Sequence, residues 1–113
     1  MFVYVESSAP MARALINPYS LDEISKRLVL LRKALGNTQA AMGSLAGVSG
    51  NAWQNYEAGI RRIELDNVFQ LESAIGVPQE WIYRGVMSRM PLELAEKIQL
   101  DKRELAREAR KRG

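Results

Sequence analysis

Residues 39–59 read QAAMGSLAGVSGNAWQNYEAG, and this stretch has the pattern of two short helices joined by a tight turn. Thr38 precedes the first helix and Ser49 precedes the second, and both are residue types that accept a hydrogen bond from a free N–H at a helix start. Gly47 lies between the helices, where the bend needs a positive φ that glycine adopts without strain. The stretch therefore predicts two helices packed across a sharp bend.

The second of these helices, predicted at 50–58, carries aromatic and amide side chains on opposite sides. At roughly 100° per residue, Trp53 and Tyr56 point to one side. The other side carries three amides: Asn51, Gln54 and Asn55. Rings inward and amides outward favour a surface that contacts a hydrogen-bonding partner such as the edges of bases.

The composition favours a small protein without catalytic activity. The chain has 113 residues, of which 47% are hydrophobic and 26% charged, and this suits one domain with extensions. It has no cysteine and no histidine, so the commonest general base and the commonest metal ligands are missing. No apolar run approaches the roughly 20 residues that span a bilayer. We therefore expect a cytoplasmic protein with no catalytic residue, no metal, no cofactor and no membrane contact.

The net charge of +3 is unevenly distributed along the chain. Residues 21–85 contain seven basic and seven acidic side chains, whereas residues 86–113 contain eight basic and five acidic ones. The surplus of the second segment equals the net charge of the whole chain. A nucleic-acid interface in the first segment must therefore depend on where individual arginines and lysines point.

The rest of the chain predicts an all-α protein. Ser20 and Glu23 form a capping-box pattern before a helix at 21–35, which Gly36 ends. Two further helical segments follow the central stretch and end by Gly85, and no strand pattern or internal repeat occurs. The predicted parts are an N-terminal arm at 1–20, a compact five-helix domain at 21–85, and a C-terminal helix with a basic tail at 86–113.

The roles of the two ends stay open at this point. Residues 1–20 fit either a loosely attached arm or an arm that packs on a partner subunit. The last helix has a narrow apolar stripe: Leu94, Ile98, Leu105 and Ala109. This stripe fits either a cover for the domain or a contact with a second copy. Past Lys102 the basic residues suggest a frayed end, either solvated or in contact with DNA.

The central motif resembles the helix-turn-helix of the phage repressor and Cro-like family, also called the Xre family. The resemblance depends on Thr38-Gln39, Gly43, Gly47-Val48-Ser49, Tyr56-Glu57 and Gly59. It extends from about Leu21 to Gly85 and includes a closing Gly76-Val77-Pro78, Trp81-Ile82 and Gly85. The resemblance implies a domain that binds DNA as a dimer, with helix 50–58 in the major groove.

The resemblance also implies roles for individual residues. We predict base contacts by Gly50, Asn51, Gln54 and Asn55. We predict phosphate contacts by Thr38, Gln39, Ser49, Arg61 and Arg62. Arg32 and Glu57 match a partly buried ion pair that holds the first helix of the domain to the helix in the groove.

Four positions depart from the family pattern. Gly50 has no side chain where many members have glutamine or arginine, so base contact shifts toward the three amides. Trp53 replaces a common isoleucine, which implies a deeper pocket or a tilted helix. Leu45 stands where a polar residue is common, and Ile63 replaces a frequent proline.

Simpler interpretations accompany the site assignments. Asn51 and Asn55 also fit ordinary polar surface, and Arg61 and Arg62 also fit solubilising charge. The aromatic residues fit a core better than base stacking. The sequence as a whole predicts a sequence-specific regulator, a repressor that binds an inverted-repeat operator in double-stranded DNA as a homodimer. The alternative is an antitoxin or adaptor that uses the same fold chiefly to bind a partner protein.

Overall fold

The computed structural model describes residues 17–112 and contains six α-helices in that range. They are α1 (Leu21–Leu35), α2 (Gln39–Ala46), α3 (Gly50–Glu57), α4 (Leu65–Ile75), α5 (Gln79–Arg84) and α6 (Leu92–Arg112). The predicted all-α fold, with five helices and a C-terminal helical extension, is confirmed. Residues 1–16 of the predicted arm lie outside the described range. Among the helices of that range, none has the length and hydropathy needed to cross a membrane.

Local signals fix both ends of α1. The Ser20 hydroxyl accepts a hydrogen bond from the Glu23 backbone N–H at 3.2 Å, as expected of an N-cap. The predicted capping box is only half formed, because the Ser20 N–H donates to the Asn17 carbonyl and the Glu23 carboxylate accepts from Lys26. At the other end, Gly36 adopts a φ of 72° and closes the helix.

The core is one cluster of buried side chains to which all six helices contribute. Helix α1 lies at its centre and packs against α3, α5 and α6, while α2 packs against α3 and α4. From α1 the cluster takes Ile24, Leu28 and Leu31, which have the helical spacing seen in the sequence. Burying a side chain of this size contributes about 1.5–3 kcal/mol, so this central row holds the other helices in place.

Helix α6 packs its first half on α1 and extends its second half into solvent. Leu94 and Ile98 are buried, so this part of the apolar stripe covers the domain. From Lys102 to Lys111 the side chains are exposed, but the helix continues through Arg112 and does not fray past Lys102. Its second half is rich in Ala, Leu, Glu, Lys and Arg, which are strong helix formers.

The predicted helix 50–58 ends one residue early. Glu57 is the last residue of α3, and Ala58 is its C-cap, with a φ of −80° and a ψ of −5°. Gly59 follows with a φ of 76° and turns the chain away from the helix axis. The loop that contains Arg61 and Arg62 therefore starts immediately after the end of α3.

Candidate nucleic-acid interface

Helices α2 and α3 meet at a turn that only small residues permit. Gly47 adopts a φ of 77° and ends α2. A Cβ atom on Gly43 would lie 2.8 Å from two carbonyl oxygens of the turn, so the helices approach too closely for any side chain there. Asn67 of α4 donates its amide N–H to the Ala46 carbonyl at 2.9 Å and satisfies the end of α2. The two helices are thus held rigidly.

The inner face of α3 carries its aromatic rings, as the angular pattern predicted. Trp53 is fully buried and Tyr56 is 3% exposed. The two rings pack edge to face, with centroids 6.0 Å apart and an angle of 77° between their planes. The Ser25 hydroxyl of α1 donates to the Tyr56 carbonyl at 2.8 Å. These contacts fix the rotation of α3 about its own axis, and so decide which side chains face outward.

The outer face of α3 carries the three amides. Asn51 and Gln54 are exposed, and Asn55 is half-buried. Within residues 17–112, no side-chain hydrogen bond involves any of these three amide groups. Each amide group offers both donors and an acceptor. The outer face of the helix therefore presents hydrogen-bonding groups whose capacity the fold does not use.

The carboxylate of Glu57 is a shared acceptor for three helices. From α1, Arg32 donates to it twice, with Nε 2.7 Å from Oε2 and Nη2 3.1 Å from Oε1. From α2, the Gln39 amide donates to Oε1 at 2.9 Å. From α3 itself, the Trp53 indole N–H donates to Oε2 at 2.5 Å. The positions of α1, α2 and α3 therefore depend on one charged group.

The environment of Glu57 keeps its carboxyl group ionised. Burial acts to raise the pKa of Glu57, but the hydrogen bonds from Arg32, Gln39 and Trp53, together with the charge of Arg32, leave it below its ordinary value of 4.5. The Glu57 side chain is 6% exposed and the Arg32 side chain 20%. Arg32 also donates to the Asn37 carbonyl at 3.3 Å. Both charges are thus paired where little water reaches them.

The residues at the starts of α2 and α3 have structural partners of their own. The Thr38 hydroxyl accepts from the Ala41 N–H, and the Ser49 hydroxyl accepts from the Ala52 N–H, both at 3.0 Å. Each oxygen caps its helix, and the hydroxyl hydrogen is left to donate elsewhere. Gln39 uses one of its two amide hydrogens in the bond to Glu57. The family resemblance predicts a phosphate contact for Gln39, and its bond to Glu57 was not predicted.

Arg61 and Arg62 are both exposed in the loop after α3. Arg61 lies 3.5 Å from the carboxylate of Glu64, in a pair where both side chains are more than half exposed. Arg62 donates to the Tyr19 carbonyl at 2.7 Å, which attaches the loop to the chain two residues before the start of α1. A guanidinium has five N–H donors, so both arginines keep donors for a further partner.

Three of the four departures from the family pattern have a packing reason. A Cβ atom on Gly50 would lie 3.2 Å from the Cα atom of Ala40, so the missing side chain lets α2 and α3 approach. Leu45 is half-buried and packs against the core, and Ile63 is 1% exposed. These residues serve the fold directly.

Sequence reasoning missed two of the four hydrogen bonds to Glu57. Trp53 lies four residues before Glu57 on one helix, a spacing that places two side chains on the same face. That spacing was a usable signal. The bond from Gln39 joins separate helices, and no local pattern indicates it.

Comparison with known proteins bears on this part of the chain. A family model described as helix-turn-helix matches residues 28–82. Neither a curated protein nor a solved structure matches the chain. The matched segment runs from the second turn of α1 into α5, and it contains every residue predicted to contact a base or a phosphate as well as both partners of the Arg32–Glu57 pair.

Proposed function

Because residues 28–82 place this chain in the Xre and Cro-like helix-turn-helix family of DNA-binding regulators, we propose that it is a sequence-specific repressor that binds an operator in double-stranded DNA through α3. The proposal has α3 lying in the major groove with its outer face toward the base edges. Occupation of an operator that overlaps a promoter would exclude polymerase, and repression follows from occupancy alone.

The observation that carries this proposal is the row of amides on α3 that have no side-chain hydrogen bond within residues 17–112. An amide side chain pairs with N6 and N7 of adenine through two hydrogen bonds, and a good pair of this kind contributes about 1–3 kcal/mol of discrimination. Asn51 and Gln54 are exposed for such contacts, and Asn55 is half-buried beside them.

Contacts to phosphate would set the position of α3 in the groove. Thr38 and Ser49 cap adjacent helix N-termini, whose free backbone N–H groups favour an anion. Gln39 has a second amide hydrogen to donate, and its orientation is fixed through Glu57. Arg61 and Arg62 would follow the backbone beyond the end of α3. These five residues carry no sequence information themselves.

We further propose that two copies bind an inverted repeat. Two copies of α3 would then enter successive major grooves, roughly 34 Å apart along the duplex. Selection of duplexes from a random pool with the full chain tests the function, and enrichment of an inverted repeat with half-sites about one helical turn apart is the expected result.

Absence of any enriched sequence would refute sequence-specific binding. If the chain instead forms a stable complex with a second protein and enriches no DNA sequence, the adaptor interpretation would replace it. The selected duplex then serves as the specific target for measurements of affinity.

A further inference from the structure

The second half of α6 carries most of the basic side chains of residues 86–113. Residues 102–112 contain six basic and two acidic side chains. The side chains of this segment are exposed up to Lys111. Exposed cations on a helix that extends beyond the packed domain are accessible to a charged partner.

The basic side chains lie on a different face of α6 from the one that packs on the domain. At roughly 100° per residue, Leu94, Ile98 and Leu105 fall on one side of the helix. Four cations fall within about 100° of one another on the opposite side: Arg103, Arg107, Arg110 and Lys111. We call these four residues the basic stripe. The packing of Leu94 and Ile98 therefore turns the basic stripe toward solvent.

Few of these charges are neutralised by the fold. Arg107 pairs with Glu104 at 2.5 Å, in a contact where both side chains are more than half exposed. Within residues 17–112, no ion pair involves Arg103, Arg110 or Lys111. An exposed pair such as Arg107–Glu104 is weak and exchanges readily for a stronger anion.

The start of this segment lies beside the loop that follows α3. Lys102 and Leu105 line a groove of 470 Å³ together with Ala58 and Gly59, which directly follow α3. The loop with Arg61 begins at the same point. At about 1.5 Å per residue, the turns beyond Leu105 extend roughly 10 Å farther from that groove. The segment that carries the basic stripe therefore begins beside the loop of the proposed phosphate contacts, while the stripe itself faces away from the groove and toward solvent.

We propose that the basic stripe binds the sugar–phosphate backbone of the same duplex, outside the base pairs that α3 contacts. This inference rests on the proposed function, since it needs the duplex to be docked on α2 and α3. Guanidinium groups pair with phosphate oxygens through two parallel hydrogen bonds, which suits three of the four stripe residues. The stripe lengthens the DNA footprint and strengthens binding at any flanking sequence.

The shape of the segment favours DNA over an anionic membrane. Helices that lie on membranes bury a broad apolar face below a basic one. Within residues 101–111, Leu105 is the only large apolar side chain, and it lines the groove against the domain. The segment thus offers charge without an apolar face to insert.

The test compares two double variants that lose equal charge. Arg103→Gln with Arg110→Gln removes two stripe cations that form no ion pair with any other described residue, whereas Arg89→Gln with Lys97→Gln removes two exposed cations off the stripe. Dissociation constants are measured between about 0.05 and 0.2 M salt. One duplex is the selected operator trimmed to its repeat, and the other carries about 10 random base pairs on each side.

On the flanked duplex, we expect the slope of log affinity against log salt to fall by about 2 per bound copy in the stripe variant and to be unchanged in the control variant. Trimming the flanks should lower the slope of the wild-type chain by about 2–4 per bound copy, because it removes the phosphates that all four stripe cations would contact. This second comparison is made between two duplexes with the wild-type chain alone, so it stands even if a variant folds poorly. Circular dichroism on each variant checks that the helices are retained.

Each result separates this inference from the proposed function. If the wild-type chain binds no duplex, the proposed function fails and the inference fails with it. If the wild-type chain binds the operator but the stripe variant and trimmed flanks leave the slope unchanged, only the inference is refuted. If the salt slope falls equally in the control variant, the change reflects net charge alone, and this result would also refute the inference. The inference is also refuted if the stripe variant loses binding to phosphatidylserine vesicles but keeps the wild-type affinity for DNA.

Discussion

Replacing Glu57 by glutamine removes the charge that α1, α2 and α3 share and leaves the shape of the side chain almost unchanged. The wild-type carboxylate accepts four hydrogen bonds, two from Arg32 and one each from Gln39 and Trp53. Glutamine keeps one acceptor oxygen. Its NH₂ group would take the place of the second carboxylate oxygen and would face the N–H donors that bind there in the wild-type chain. At least one of these donors then loses its partner.

The burial of the pair sets the size of the effect. Removing one partner of a buried ion pair costs about 3–5 kcal/mol, because the remaining charge has no partner and little water. The Arg32 side chain is 20% exposed, so water compensates it in part. We therefore expect Glu57→Gln to lower the free energy of unfolding by about 2–4 kcal/mol. For a chain of this size, that corresponds to a fall in Tm of about 10–20 °C.

Chemical denaturation followed by circular dichroism measures the change, with Glu64→Gln as the matched control. Glu64 makes the same type of contact with Arg61, but at 3.5 Å and with 65% of its side chain exposed. The control should lose less than about 0.5 kcal/mol. If Glu57→Gln is no less stable than Glu64→Gln, then the shared carboxylate does not hold the three helices together.

The pKa of Glu57 adds a pH dependence of known sign. Its folded pKa lies below the ordinary value of 4.5, so the ionised group stabilises the fold above that pH. This contribution is lost as the pH falls through the lowered pKa. The wild-type chain should therefore lose stability below pH 4.5 more steeply than Glu57→Gln, which has no carboxyl group at this position. Parallel pH profiles would contradict the assignment.

Three further predictions concern binding and the turn. Asn51→Ala and Asn55→Ala should each weaken binding to the selected operator by about 1–3 kcal/mol and leave binding to random duplex nearly unchanged. Equal losses of affinity for the operator and for random duplex would show that these amides do not recognise sequence. Arg61→Ala should weaken binding to all duplexes and reduce the salt slope by about 1 per bound copy, and an unchanged slope would argue against phosphate contact. Gly43→Ala should destabilise the fold by more than Gly36→Ala in thermal melts. A Cβ on Gly43 meets carbonyl oxygens at 2.8 Å, whereas one on Gly36, despite its φ of 72°, meets no atom of the described part of the chain within 4 Å.

The helix–turn–helix unit was predictable because its signals are local. Thr38 and Ser49 cap their helices through bonds three residues away, and Gly47 ends α2 by its own φ. The inward rings and outward amides of α3 follow from helical periodicity alone. Such features depend on residues close in sequence, so the sequence contains all the information they need.

Features that join distant segments could not be derived in this way. The Arg62 bond to the Tyr19 carbonyl depends on the path of a loop across the domain. The Arg32–Glu57 pair was expected only through the family resemblance. For α6, the sequence pattern indicated an apolar stripe but not the surface that covers it. In the structure, Leu94 and Ile98 are buried where α6 packs on α1. An amphipathic helix shows which face is buried, not what buries it.

The tryptophan at position 53 connects the departures from the family pattern to the mechanism. Where isoleucine would fill the pocket with methyl groups alone, the indole carries an N–H that needs a partner when buried, and Glu57 provides it. The same carboxylate orients Gln39, so the inner face of α3 and a proposed phosphate contact on α2 are held by one group. Ordering a side chain on binding costs about 0.5–1.5 kcal/mol, and a side chain already fixed avoids much of that cost. The buried hydrogen bonds of Glu57 would therefore strengthen DNA binding without touching DNA, because they hold Gln39 in position before the duplex arrives.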